Sequence, residues 1–394
     1  MKARPHQLEG ANWAIATMRT HGCAYLSWKE RTGKTLTALT TAEISIANKV
    51  LIVTKKKAIK GWNDTLAEWK HKTKFTIINY ESLHKVVGEF DMIIVDEAHH
   101  AISSTGRPSK TWKMLHKFTH KKAILYLSAT PYAEHLGLIY HQLKLSSWTP
   151  FKERNFYEWF KVYGKSNLTR TPYGLVEQYN KYDDEAILAK ISHLFYFKTR
   201  EEVGIEHEPT VNLIKVALDP YTIKLMKELV THSVIEFGDE QIVCDSPMKQ
   251  RSVHYQLEGS TIKGNVEILL PTREKVCYII ENYPSDVVVM AHFIAERALL
   301  RLMLPEATIL SSDGDAEGVD LSNHEKLVIY SMSEKTSKFT QRLARQANHD
   351  RKTPIIVDVL VCDKPAIGLG IYESVALKKV NFDKNSYDKY TRSM

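Results

Sequence analysis

Two short stretches hold residue types that can bind and split phosphates. The first is Trp28-Lys29-Glu30-Arg31-Thr32-Gly33-Lys34-Thr35. An apolar run, Cys23 to Trp28, precedes it and reads as a buried strand; a helix-like stretch from Leu36 to Asn48 follows. Strand, tight loop, Gly-Lys-Thr and helix make a phosphate loop. Backbone N–H groups around Arg31, Thr32 and Gly33 would point at phosphates, where the helix dipole favours negative charge. Gly33 allows the backbone a conformation that other residues resist. Lys34 would reach the β- and γ-phosphates, and the Thr35 hydroxyl would hold Mg²⁺. The full pattern has glycine where Trp28 stands. A bare Gly-Lys-Thr also reads as a surface turn entering a helix.

The second stretch is Asp91-Met92-Ile93-Ile94-Val95-Asp96-Glu97-Ala98-His99. An apolar strand here ends in adjacent carboxylates. Asp96 would hold the Mg²⁺ and Glu97 would orient or deprotonate an attacking water. Acidic residues at a helix start are the plain alternative. The upstream Gly-Lys-Thr, strand context at both places, and Ser128-Ala129-Thr130 beyond them favour the chemical reading.

Gly33-Lys34-Thr35, Asp96-Glu97-Ala98-His99 and Ser128-Ala129-Thr130 resemble motifs I, II and III of superfamily-two helicases. Spacing and flanks resemble the Swi/Snf-type branch, particularly its compact phage members. The resemblance implies a DEAH-box ATPase with ATP and Mg²⁺ as cofactors. On it, Gln7 in the opening segment Arg4-Pro5-His6-Gln7 contacts the adenine edge, and Ser128, Ala129 and Thr130 link hydrolysis to nucleic acid. The segment Asp315 to Ser322 resembles motif V, with Gly318 and Asp320 near the nucleotide. Thr340 to Arg351 resembles motif VI, in which Gln341 and Arg345 carry the arginine-finger chemistry. The family's second arginine falls where this chain has Asn348; Arg351 lies three residues later.

Composition sets the frame. The 394 residues can bury two ordinary cores. Hydrophobic content of 43% and charged content of 25% suit a soluble globular protein. No apolar run nears membrane-spanning length, and Met1 to Pro5 lacks a signal-peptide core. Four scattered cysteines read as reduced core thiols, so the expected location is cytoplasmic (the host cytoplasm for a phage product). The net charge of +8 suits a polyanion partner.

Along the chain, Leu8, Trp13 and Ile15 are spaced for one apolar helix face. Val50 to Thr54 is a buried strand, followed by Lys55, Lys56, Lys57 and Lys60. This cluster resembles motif Ia, which touches a nucleic-acid backbone; a solvated charged loop is the alternative. Further strands are expected at 75–79, 123–127, 211–218, 286–290, 308–311, 327–330 and 355–361. The aromatic run from Trp148 to Tyr163 has helical spacing and reads as core. His193 to Val203 resembles the family's link into a second lobe.

The expected fold is α/β: two RecA-like parallel-sheet lobes with a helical insertion after motif III. Expected domains are 1–145 for ATP binding, 146–207 for a helical protrusion and linker, and 208–394 for the second lobe. The resemblance implies an ATP-dependent DNA helicase or translocase acting on double-stranded or branched, replicating DNA, with no membrane partner. Two other readings stay open. One is a nucleic-acid-binding regulatory module with weakened catalysis, suggested by Trp28 and Asn348. The other is a helicase acting on RNA.

Overall fold

Continuous apolar runs become parallel strands covered on both faces, as such sheets require. The computed structural model describes residues 2–391 apart from 133–134, 172–173, 206–208, 238–239, 264–266, 313–323, 336–338, 340–342, 344–355, 379–381 and 383. The chain divides into two compact units, Met1–Gly204 and Ile205–Met394.

In the first unit the strands are β1 (Cys23–Trp28), β2 (Lys49–Thr54), β3 (Lys74–Asn79), β4 (Met92–Asp96) and β5 (Ala123–Leu127). A hairpin of β6 (Leu168–Thr171) and β7 (Gly174–Glu177) comes next, then β8 (Phe195–Lys198). The main sheet runs β3-β2-β4-β5-β1-β8, and every described pairing in it is parallel. Side chains alternate between two apolar layers with the period of two that a strand imposes. Ala24, Leu26, Trp28, Val50, Ile52, Ile94 and Leu125 enter one layer. Cys23, Tyr25, Leu51, Val53, Ile93, Val95 and Tyr126 enter the other.

Helices α1 (Pro5–His21), α2 (Lys34–Ile44) and α3 (Ile59–Glu68) precede α4 (Lys110–Thr119) and α5 (Ile139–Leu143). The buried side of α1 is Gln7, Gly10, Ala11, Ala14, Ile15 and Met18. Leu8 is 41% exposed, so the expected Leu8-Trp13-Ile15 face is displaced by one turn of small residues. Those residues let α1 lie close to β1: a Cβ added at Gly10 would meet the Trp28 indole at 2.3 Å. Helix α2 ends at Ile44, before the expected Asn48.

The aromatic run is core, as its spacing predicts. It forms α6 (Phe156–Tyr163), followed by the hairpin and α7 (Asp184–Ile191). Phe151, Phe156, Trp159 and Tyr163 are buried in the same layer as Tyr25 and Tyr126. The stretch from His193 to Val203, expected only as a link, contains β8, the strand beside β1.

In the second unit β9 (Thr210–Val216) precedes α8 (Pro220–His232), α9 (Pro247–Glu258) and α10 (Glu274–Asn282). Two small antiparallel pairs, β10 (Val234–Phe237) with β11 (Glu240–Val243) and β12 (Thr261–Lys263) with β13 (Glu267–Leu269), lie between them. The remaining strands are β14 (Val288–Ala291), β15 (Thr308–Ser311), β16 (Lys326–Ile329) and β17 (Ile356–Cys362). Their order is β15-β14-β16-β17-β9, with parallel pairings. Each unit is thus a RecA-like α/β lobe. Of the four cysteines, Cys277 is exposed, against the expected core position, while the other three are buried.

One buried histidine in this unit makes stability pH-dependent. His254 has no exposed surface; its Nε2 faces the Pro365 carbonyl at 2.9 Å and its Nδ1 the Tyr387 hydroxyl at 3.1 Å. Burial pushes its pKa down to about 4. In the unfolded chain it takes a proton near its ordinary value, about 6.5. Between those values the unfolded state binds more protons, so stability is lost as pH falls through that window. Denaturant midpoints should therefore drop between pH of about 7 and about 4.5. The drop should be smaller in His254→Gln; equal slopes for the two proteins would contradict this.

Candidate active site

The strand order puts β4, β5 and β1 side by side, so the segments after their carboxyl ends meet at one sheet edge. Ligands of open α/β sheets bind at such edges. The three motifs arrive there by topology alone: the phosphate loop from β1, Asp96 and Glu97 from β4, and Ser128 from β5.

The loop is shaped by two residues with left-handed backbone, Arg31 at φ 66° and Gly33 at φ 90°. Gly33 is also crowded: a Cβ there would lie 2.2 Å from Gln7 Nε2. Thr32 is buried, and its hydroxyl donates to the Lys29 carbonyl at 2.7 Å. Gly33 caps α2, so no side chain competes for the helix's first N–H groups. Trp28 does not obstruct the loop. Its side chain is wholly buried in the layer under α1 and α2, while its backbone begins the turn. The loop's inner wall is the Gln7 amide. It accepts from the Arg4 N–H at 2.8 Å and donates to the Gly33 carbonyl at 3.1 Å.

Lys34 folds back over the loop, its ammonium donating to the Trp28 carbonyl at 2.7 Å and the Lys29 carbonyl at 2.9 Å. Burial lowers its pKa, while Glu97, Glu30 and Asp96 pull the other way. Glu30 is itself matched by Arg200, whose guanidinium lies 3.4 Å from its carboxylate. Arg200 follows β8, so the strand missed by sequence reading also delivers a cation to the phosphate loop.

Asp96 is held from one side. Its Oδ2 accepts from the Thr54 hydroxyl at 2.7 Å and the Trp62 indole N–H at 3.1 Å. Tyr80 donates to its main-chain carbonyl at 2.5 Å. With both of these donors on Oδ2, Oδ1 is left to face a ligand. Burial, then the adjacent Glu97, raises the Asp96 pKa. Glu97 has left-handed backbone, φ 55°, fixed by its N–H donating to the Leu127 carbonyl of β5 at 2.7 Å. Its Oε2 accepts from the Ser128 hydroxyl at 3.2 Å and lies 3.3 Å from His99 Nδ1. Burial raises the Glu97 pKa against the pull of Lys55 and Lys34. Burial, with Lys55 nearby, drives His99 down to about 4. With its pKa that low, His99 does not form a charged pair with Glu97 at pH 7. Ser128 Oγ also lies 3.0 Å from His99 Nδ1 and accepts from the Thr130 N–H at 3.0 Å.

The donor set suits a hard cation held through oxygen. Asp96 Oδ1 and the Thr35 hydroxyl could be the protein's contributions, with phosphate oxygens for the rest. Among the described residues no group of three or more His, Cys, Asp or Glu could cage a metal alone.

The structure thus brings together Gln7, Arg31, Thr32, Gly33, Lys34, Thr35, Asp96, Glu97 and Ser128. Ala129 and Thr130 line a neighbouring cavity of about 370 Å³ with Lys29, Tyr132 and Phe197. The lysine cluster splits. Lys55 is half-buried and acts electrostatically on Glu97 and His99, whereas Lys56, Lys57 and Lys60 are exposed. Gly318, Asp320, Gln341, Arg345 and Arg351 lie outside the described residues. Sequence reading missed Thr54, Trp62, Tyr80, Glu30 and Arg200. The one usable signal was a tryptophan directly after the lysine cluster, on a helix otherwise poor in large apolar residues.

Residues 61–133 match the family model described as "Type III restriction enzyme, res subunit". No curated protein matches the chain. Among solved structures, a "Sulfolobus solfataricus SWI2/SNF2 ATPase core in complex with dsDNA" is similar at 13% identity and a TM-score of 0.45. That match covers 100% of this chain and 96% of the other. No described helix is long and apolar enough to cross a membrane.

Proposed function

We propose that this chain, a superfamily-two helicase-type protein by its motifs and its matched segment, is a DNA-stimulated ATPase that moves along DNA. One observation carries the reading: Lys34, Asp96 and Glu97 reach the same edge of three adjacent strands, close enough to shift one another's proton affinity. Bound Mg·ATP would supply an electrophilic phosphorus with its charge partly neutralised. Lys34 leaves the Trp28 and Lys29 carbonyls and takes phosphate oxygens instead. Thr35 and Asp96 Oδ1 hold the cation. Glu97 orients the attacking water and accepts its proton, with Ser128 fixing the carboxylate's angle. Gln7 stands against Gly33, where the loop enters α2, and is assigned to the adenine edge.

Gly318 and Asp320 are assigned to nucleotide contact. Arg345, with Gln341 and Arg351, is assigned to the cation that answers charge on the transferring phosphoryl group. Residues 1–145, with β8 completing their sheet, carry ATP binding; the rest of 146–207 forms the insertion and linker, and 208–394 the second lobe. Lys55, Lys56, Lys57 and Lys60, with a net charge of +8, support a nucleic-acid backbone as partner. The burial of the Trp28 side chain removes it as a reason to suspect weakened catalysis. Double-stranded or branched DNA is the proposed track and the cytoplasm the proposed location.

The test is phosphate release by wild type and Lys34→Ala, with and without single-stranded, double-stranded and branched DNA, and with RNA. Wild-type turnover should rise with DNA. Lys34→Ala should remain folded and show no stimulated turnover. Persistent stimulation in that variant refutes the assigned site, and stimulation by RNA alone refutes the DNA assignment.

A further inference from the structure

The exposed lysine segment is tied at both ends to one oxygen atom. Thr54 closes β2 and Trp62 lies in the first turns of α3; between them run Lys55, Lys56, Lys57 and Lys60. Both flanking side chains donate to Asp96 Oδ2, at 2.7 Å and 3.1 Å. Trp62 is 2% exposed and sits in the layer under α2, so its indole has little freedom to turn away. The described side chains on Asp96 Oδ2 thus come from the segment whose Lys56, Lys57 and Lys60 face solvent.

We propose that Trp62, with Thr54, is a positioning residue that couples a polyanion on the lysine segment to the metal-facing oxygen of Asp96. This rests on the reading of Asp96 as the magnesium carboxylate. A phosphate backbone drawing Lys56, Lys57 and Lys60 together fixes the start of α3 relative to the end of β2. The two donors then lock Oδ2, and Oδ1 is held at one angle. Hydrogen bonds to charged groups and outer-shell partners of metal ligands are strong enough for this role. Because binding linkage is reciprocal, DNA tightens magnesium and magnesium tightens DNA by the same factor.

The experiment uses the full chain and a fluorescent ADP analogue, titrated with MgCl₂ in the absence and presence of a short DNA duplex. Trp62→Phe removes the indole N–H and keeps an aromatic ring in place. Thr54→Val removes the hydroxyl at constant shape. In wild type, DNA should lower the magnesium concentration for half-saturation. In Trp62→Phe that concentration should rise about tenfold or more, the usual cost of losing a hydrogen-bond partner of a metal-binding carboxylate. The DNA effect on it should vanish, while nucleotide affinity measured in EDTA stays unchanged and the variant, with a smaller core side chain, melts at a somewhat lower temperature in a cooperative transition. Thr54→Val should act in the same direction. If Trp62→Phe unfolds, Thr54→Val decides the matter alone. Half-saturation and DNA response equal to wild type in folded variants overturn the proposal. Nucleotide binding indifferent to magnesium in wild type overturns the site reading, and this proposal with it.

Discussion

Glu97→Gln lowers ATP turnover by about 10² to 10⁴, the range expected when a positioned base is lost. The substitution keeps the shape and one acceptor oxygen for the Ser128 hydroxyl, so the fold and the nucleotide affinity stay. It removes the proton acceptor that burial has made more basic than an ordinary carboxylate. Left-handed backbone at Glu97, its N–H bond to Leu127 and the Ser128 hydroxyl leave no slack for a neighbouring group to take its place. Single-turnover phosphate release at saturating Mg·ATP is the measurement. A variant that turns over at the wild-type rate would move the base elsewhere. Ser128→Ala should cost less, because it frees the angle of the carboxylate without removing it.

Lys275→Met destabilises the second unit by about 3 to 5 kcal/mol, the usual cost of orphaning a buried charge. Lys275 is 1% exposed and Glu258 fully buried, with the ammonium 2.7 Å from the carboxylate. The lysine also donates to the Tyr330 carbonyl at 3.0 Å. Glu258 in turn accepts from the N–H groups of Cys362 at 3.0 Å and Gly368 at 2.8 Å. The pair therefore ties α9 and α10 to the ends of β16 and β17. Removing the cation alone leaves a carboxylate with two donors and no countercharge. Adding Glu258→Gln should recover part of the loss, since the two residues couple directly. Calorimetric unfolding tests both. A cost below about 1 kcal/mol, the scale of a surface pair, would show that water reaches the site.

Local patterns carried most of the fold. β1, β5 and β15 fall on the 23–28, 123–127 and 308–311 expected from their apolar runs, and the other expected strands shift by a residue or two at their ends. The phosphate loop and the two carboxylates were legible because their chemistry requires adjacent residues. Other parts depend on partners far away in sequence. β8 is recognisable only through its pairing with β1, about which its own four residues say nothing. Arg200 meets Glu30 across 170 residues, and Trp62 meets Asp96 across 34. Leu8 misled because small residues, not large ones, make the close face of α1. The buried pair of Glu258 and Lys275 likewise emerges only in three dimensions.

The position of β8 also governs how the protein can be made. On the ribosome, β1 is synthesised early, yet its outer neighbour follows only after residue 194 has emerged. Until then β1 presents a bare row of main-chain donors and acceptors, open to pairing with another nascent molecule. A truncated protein ending at residue 145 keeps every catalytic motif of the first unit and inherits that exposed edge permanently. Expression of the first unit alone should therefore run through Gly204 to yield a monomer.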